Sequence, residues 1–176
     1  MKILALFLLL AWPALAQLQS IGGPTPPNWN KYSLVAIANG VNGCAAADGC
    51  WQVNGVLGAN KTAGLTQNIT IFAIPARGFV SRLRIKTAVA FTGTATAIAT
   101  LGTTASNVFY LTATYNLQTA VSDTNYAPST GALANVGSDT AAGTNFVLGL
   151  TTTVQNITSI AAGSAVDIWV LWSTLP

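Results

Sequence analysis

Past residue 16, no window of a dozen residues keeps an apolar face at positions i, i+3, i+4 and i+7. A surface helix needs such a stripe to bury against its neighbours, so this feature removes helical architectures from consideration. Helix-supporting residues are scarce as well: there is no Glu, Gly or Pro falls every few residues, and Thr occurs 23 times. What recurs instead are strand-length segments rich in β-branched and aromatic residues, at 32–38, 51–57, 68–74, 79–87, 95–101, 108–115, 145–152 and 165–173. Gly, Pro, Asn, Asp or Ser bound most of them. About eight strands at even spacing, with no crossover helices, predict an all-β fold: a single antiparallel β-sandwich of jelly-roll-like type.

Within that fold, Ile69–Ile74 and Phe79–Lys86 flank Pro75-Ala76-Arg77-Gly78 and read as a hairpin, with Pro75 at the second position of a tight turn. Period-2 alternation in the second strand sets Arg82, Arg84 and Lys86 on a wet face and Leu83 and Ile85 on the core face.

The chain opens with Met1-Lys2, an apolar run from Ile3 to Trp12, and Ala14-Leu15-Ala16. This is the pattern of a secretory signal cleaved between Ala16 and Gln17, so residues 1–16 are expected to be a leader. The run is too short to span a bilayer, which takes about 20 residues, and no later stretch approaches that length. Residues 17–31, with Pro24, Pro26, Pro27 and the Gly22-Gly23 pair, are expected to form an extended arm, and residues 32–176 the β-sandwich domain. In an exported chain, Cys44 and Cys50 are expected to close one small-loop disulfide. A two-Cys metal site fails on ligand count, because there is no His and Asp48 is the only acid nearby. The expected location is extracellular, in association with a virion or a filament.

Only 6% of residues are charged and 51% are hydrophobic, against about one-quarter charged in an ordinary domain. That composition excludes disorder and sets the chain apart from ordinary cytosolic enzymes. Beyond the leader, six cations (Lys31, Lys61, Arg77, Arg82, Arg84, Lys86) face four Asp. The excess is too small to imply a nucleic-acid partner. Without His or Glu, the Ser and Thr hydroxyls have no evident base, and neither a Gly-x-Ser-x-Gly elbow nor a phosphate loop occurs. The chain therefore reads as a non-enzyme that uses no cofactor or metal.

Several side chains are candidates for contact. Asp167, in the middle of Val166–Trp172, is expected to pair across strands with one of the clustered cations rather than to act in catalysis. Arg82, Arg84 and Lys86 form a solvated or guarded strand face, or else a site for phosphate, an acidic glycan or a neighbouring subunit's carboxylate. Trp51, Trp169 and Trp172 invite a carbohydrate-stacking reading, but the last two are three apart in a strand and point to opposite faces. Trp29 is the better contact candidate, since a large aromatic in a Pro-rich segment has to be covered. A surface of Thr, Ala, Asn, Ser and Gly is suited to packing against copies of itself.

The run Phe79–Gly93, the Leu101-Gly102-Thr103 turn and the ending Ile157–Pro176 resemble small phage-type virion proteins encoded near head and tail genes. The resemblance extends from about Ile69 to the C-terminus. It implies a β-sandwich that decorates or completes a particle surface, and it carries no catalytic residues. Together these readings predict a structural subunit that self-associates or decorates a larger assembly. The alternative is a secreted glycan- or surface-binding module using Trp29, Trp51 and the Arg82/Arg84/Lys86 face.

Overall fold

The computed structural model describes residues 29–119, 123–126 and 143–174. There the eight expected segments account for nine of ten strands: β1 (Asn30–Ile37), β2 (Cys50–Val53), β3 (Val56–Asn60), β4 (Thr66–Ile74), β5 (Gly78–Val89), β6 (Thr96–Thr103), β7 (Leu111–Asn116), β8 (Asp123–Tyr126), β9 (Thr144–Thr153) and β10 (Ala165–Thr174). The segment at 51–57 splits into β2 and β3 because Asn54 and Gly55 both take positive φ, 50° and 81°. Asn-Gly is the pair that a two-residue hairpin turn selects. The four residues of β8 make a further strand in a polar stretch with no apolar pattern. The leader and arm residues 17–28 lie outside the described residues. Asn30 and Lys31, expected in the arm, instead open β1, in register with Val170 and Trp169.

The pairing is nested: β6 pairs with β7, β5 with β8, β4 with β9 and β1 with β10, all antiparallel. Rolling this doubled ribbon brings β10 against β5 and β9 against β6. Two sheets result, ordered β3-β2-β1-β10-β5-β8 and β4-β9-β6-β7. This is jelly-roll connectivity, with the β2–β3 hairpin added to one sheet.

Rolling corrects one local expectation. β4 and β5 are not a hairpin but lie in different sheets, and the turn between them is the corner of the sandwich. The Gly78 N–H donates to the Pro75 carbonyl at 3.0 Å, which puts Pro75 at the first turn position and Arg77, at φ 60°, at the third. Both strands carry one apolar face. A corner lets Ile74 and Val80 reach the shared core from opposite sheets, whereas a hairpin would keep them in one.

The alternation expected in β5 is present, with Leu83 and Ile85 fully buried. A bulge opposite Leu171–Trp172 shifts the phase so that Val80 is also inward. Val166, Ile168 and Val170 of β10 meet Phe146, Leu148 and Leu150 of β9 and Ala97, Ala99 and Leu101 of β6 across the sandwich. Each large aliphatic buried in this way contributes about 1.5–3 kcal/mol. An aromatic stack crosses the core from Tyr32 through Phe72 and Phe146 to Tyr110, with successive centroids 4.5, 4.9 and 5.5 Å apart.

Tyr110 is fully buried, and its hydroxyl has no hydrogen-bond partner among the described residues. Burial pushes its pKa up from 10.0 to about 12. Between those values the unfolded chain releases this proton and the folded chain keeps it, so stability falls as pH rises through that window. The expected loss is about 2–3 kcal/mol. Equilibrium urea unfolding at stepped alkaline pH measures it, and Tyr110→Phe should remove most of the slope without loss of stability at neutral pH.

Val154 follows β9 at φ 71° and is 81% exposed. A β-branched residue there is strained and buries nothing in return. Val154→Gly is expected to stabilise the fold by about 1 kcal/mol, seen as a rise of roughly 2–4 °C in Tm.

Candidate functional site on the six-stranded sheet

Charge is distributed by sheet. β4, β6, β7 and β9 contain no Asp, Glu, Lys or Arg, whereas β1, β5, β8 and β10 contain Lys31, Arg82, Arg84, Lys86, Asp123 and Asp167. Directly opposed residues in antiparallel strands share a face, so the register sorts these groups into rows. One row reads Ser33, Asp167, Lys86, Asp123; the next reads Lys31, Trp169, Arg84, Asn125. Beyond it, Arg82 stands opposite Leu171.

Trp169 is the centre of this face. The Arg84 guanidinium lies 4.8 Å from its ring centroid and the Lys31 ammonium 5.4 Å. Each contact of this kind contributes about 0.5–1 kcal/mol at an exposed site. Lys31 Nζ also reaches Asp167 Oδ2 at 2.9 Å, while Ser33 Oγ donates to Asp167 Oδ1 at 2.5 Å. The ion pair of Asp167 is thus with Lys31 of β1, not with one of the three clustered cations. Lys86 faces Asp167 and Asp123 only in register. The Lys31 side chain is 48% exposed, so this pair orders the face more than it stabilises the fold.

The tryptophans separate by environment. Trp51 is fully buried, and its Nε1–H donates to Gln67 Oε1 at 2.9 Å. It cannot serve as the contact residue expected from the sequence, because β2 pairs with β1 in the sheet and turns Trp51 into the core. Trp172 packs inward against Phe72, with centroids 6.0 Å apart. Trp169 is half-buried on the outer face, so the two do point opposite ways. Trp29, at the start of the described residues, is exposed.

The expected disulfide is present: Cys44 and Cys50 are bonded, with Cα atoms 5.8 Å apart, and both are buried. Beside this loop lies a group that the sequence did not single out. Lys61 is buried, its Nζ donates to the Ile160 carbonyl at 2.7 Å, and the ammonium lies 5.9 Å from the Trp51 ring centroid. Its backbone N–H donates to Gly49. Burial holds its pKa below the ordinary lysine value, with the Asp48 carboxylate opposing. Lys61 therefore ties the disulfide loop to the 3-10 turn Ile157–Ser159 and acts as a structural cation.

An open cleft of about 400 Å³ beside the end of β4 and the start of β9 is lined by Ala73, Ile74, Thr104, Gly143, Thr144 and Asn145, none of them ionisable. The outer face of the six-stranded sheet gathers Lys31 and Arg84 around Trp169, with Arg82 one row beyond. No helix among the described residues is long and apolar enough to cross a membrane. Set against known proteins, the chain matches no family model, no curated protein and no solved structure.

Proposed function

We propose that this protein is a non-enzymatic structural subunit that packs against copies of itself or onto a larger assembly, such as a virion-like particle or an extracellular filament. The uncharged four-stranded sheet is the observation that carries this reading. Its outward positions include Thr66, Asn68 and Thr70 on β4, Thr151 and Thr153 on β9, and Thr100 on β6. Covering such a face strands no charge away from water, which is the costly event in association. Its edge strand β4 runs for nine residues without a charged side chain or Pro, the usual guards against pairing with another chain, although it does carry a bulge at Thr70/Phe72. Jelly rolls also occur in lectins and cupins, so the fold by itself does not choose.

The test is sedimentation of the wild-type chain beside a Thr100→Arg/Thr151→Arg variant, with circular dichroism to confirm folding. Wild type is expected in an oligomer or particle fraction and the variant as a folded monomer. A wild type that stays monomeric at every concentration, or a variant that assembles unchanged, overturns the reading. In the same fractions, deletion of residues 18–28 tests the arm without entering β1, and loss of assembly is expected. Export predicts that the assembled chain starts at Gln17 by mass spectrometry; an intact Met1 in particles removes export from the proposal.

A further inference from the structure

We propose that the outer edge of β4 is where a second copy of this chain pairs, antiparallel and about a two-fold axis through Asn68. Such pairing rests on the reading of the chain as a self-associating subunit and names the contact it uses. β3 and β4 end their sheets on the same flank of the sandwich, where Gln67 Nε2 donates to the Asn60 carbonyl at 2.7 Å. Among the described residues, β4 pairs only with β9 and β3 only with β2. From Trp51 to Ala76 the sequence holds one charged residue, Lys61, and that ammonium is turned inward onto the Ile160 carbonyl. No charge within these strands guards either edge. All five residues of β3 are exposed, Val56 by 70%, and Leu65, just before β4, is exposed by 46%. An unguarded edge with apolar residues beside it is a template for strand addition.

The backbone fixes the register. The Thr152 N–H donates to the Leu65 carbonyl at 2.8 Å, so Leu65 and every second residue after it turn their N–H and C=O towards β9. Thr66, Asn68 and Thr70 then direct theirs outward, until the bulge at Thr70/Phe72 ends the regular edge. Centred on Asn68, a copy of the same segment sets Thr66 against Thr70, Asn68 against Asn68 and Thr70 against Thr66. Each is a pair of outward residues able to exchange two backbone hydrogen bonds. Their side chains are exposed and uncharged, so the two-fold brings no like charges together. Any strand would gain the backbone bonds. A second copy is selected because Thr66-Gln67-Asn68-Ile69-Thr70 is symmetric about its centre both in hydrogen-bonding phase and in the Thr-Asn-Thr row on its outer face. Pairing in this way joins the two four-stranded sheets into one continuous uncharged face.

The experiment measures self-association of the full processed chain by sedimentation velocity over a range of concentrations, with circular dichroism to confirm folding. Thr66→Lys/Thr70→Lys sets lysine opposite lysine at both ends of the contact and should weaken association by about tenfold or more. Thr66→Lys/Thr70→Asp sets lysine opposite aspartate at both ends and should stay within about threefold of wild type. Should the lysine pair melt early, mild oxidation of Asn68→Cys gives a second reading. Position 68 meets itself with Cα atoms about 5.5 Å apart, within disulfide reach, so a cross-linked dimer is expected. The proposal is overturned if the lysine pair associates like wild type or if Asn68→Cys does not cross-link. It is also overturned if the lysine–aspartate variant is as weak as the lysine pair, because the edge then takes another segment, such as residues 17–28 of a neighbour. Association lost with Thr100→Arg/Thr151→Arg but unmoved by the lysine pair removes the edge contact and leaves the assembly reading standing; a wild type that is monomeric at every concentration removes both.

Discussion

Replacing Trp51 by alanine is expected to cost about 4–6 kcal/mol, a large fraction of the roughly 5–15 kcal/mol that holds a domain of this kind together. The indole is fully buried and lies 6.2 Å from the Phe91 ring centroid, so its removal opens a large cavity in the core. Polar losses add to the cavity. Trp51 Nε1–H donates to Gln67 Oε1, and Gln67 Nε2 in turn donates to the Asn60 carbonyl at 2.7 Å, so the indole anchors a chain of bonds joining β2, β3 and the first residues of β4. The buried Lys61 ammonium also loses the aromatic face beside it. Urea unfolding monitored by far-ultraviolet circular dichroism measures the loss. Trp51→Phe should recover more than half of it, since it keeps an aromatic ring but not the N–H donor.

Local patterns in the chain proved readable where a short segment decides the outcome. The alternation of Arg82, Arg84 and Lys86 with Leu83 and Ile85 is a property of one strand, and it survives in the fold. The spacing of Cys44 and Cys50 is likewise local, and the disulfide forms. Asn54-Gly55 is a local turn signal of the same kind, and it splits 51–57 into a hairpin. What stayed hidden was non-local. A strand–turn–strand pattern reads the same whether the strands pair with each other or switch sheets, and for β4 and β5 the partners that decide this, β9 and β10, come some 70 residues later. The candidate site has the same origin: Lys31, Trp169 and Arg84 meet only because β10 inserts between β1 and β5, a register no local window reports.

This division explains why the site differs from the one its residues suggested. Three alternating cations on a strand look like one stripe. Once β10 and β8 flank β5, Lys86 is in backbone register with Asp167 and Asp123, while Arg84 lies over Trp169 and Arg82 remains exposed. Sheet pairing, not the composition of the strand, decides what each cation stands beside. The same pairing leaves every charge within the described strands on one sheet, although the chain has so few charged residues.

Gly93→Ala is the second change expected to be severe, at about 3–5 kcal/mol, and Gly163→Ala separates its causes. Both glycines sit in the left-handed region, at φ 89° and 88°. An alanine placed there costs about 1–2 kcal/mol from backbone sterics alone. Around Gly163 a Cβ would meet nothing within 4 Å, so that conformational cost is all that Gly163→Ala should show. At Gly93 the Cβ would lie 2.0 Å from the Ser159 carbonyl oxygen and 3.4 Å from the Ala161 nitrogen, both of them backbone atoms that cannot rotate away. Relief requires the loops after β5 and β9 to separate. That breaks the Ala161 N–H bond to the Thr92 carbonyl and strains the neighbouring link from Ser164 Oγ to the Ala90 carbonyl. Those bonds close one end of the sandwich over Ile157 and Ile160, which are buried in the same core as Phe91. The difference between the two unfolding free energies, about 2–3 kcal/mol, therefore reports how rigidly that end is closed. Equal costs at the two positions would mean that the loops part freely and that the closed end is not what holds β5 and β9 in place.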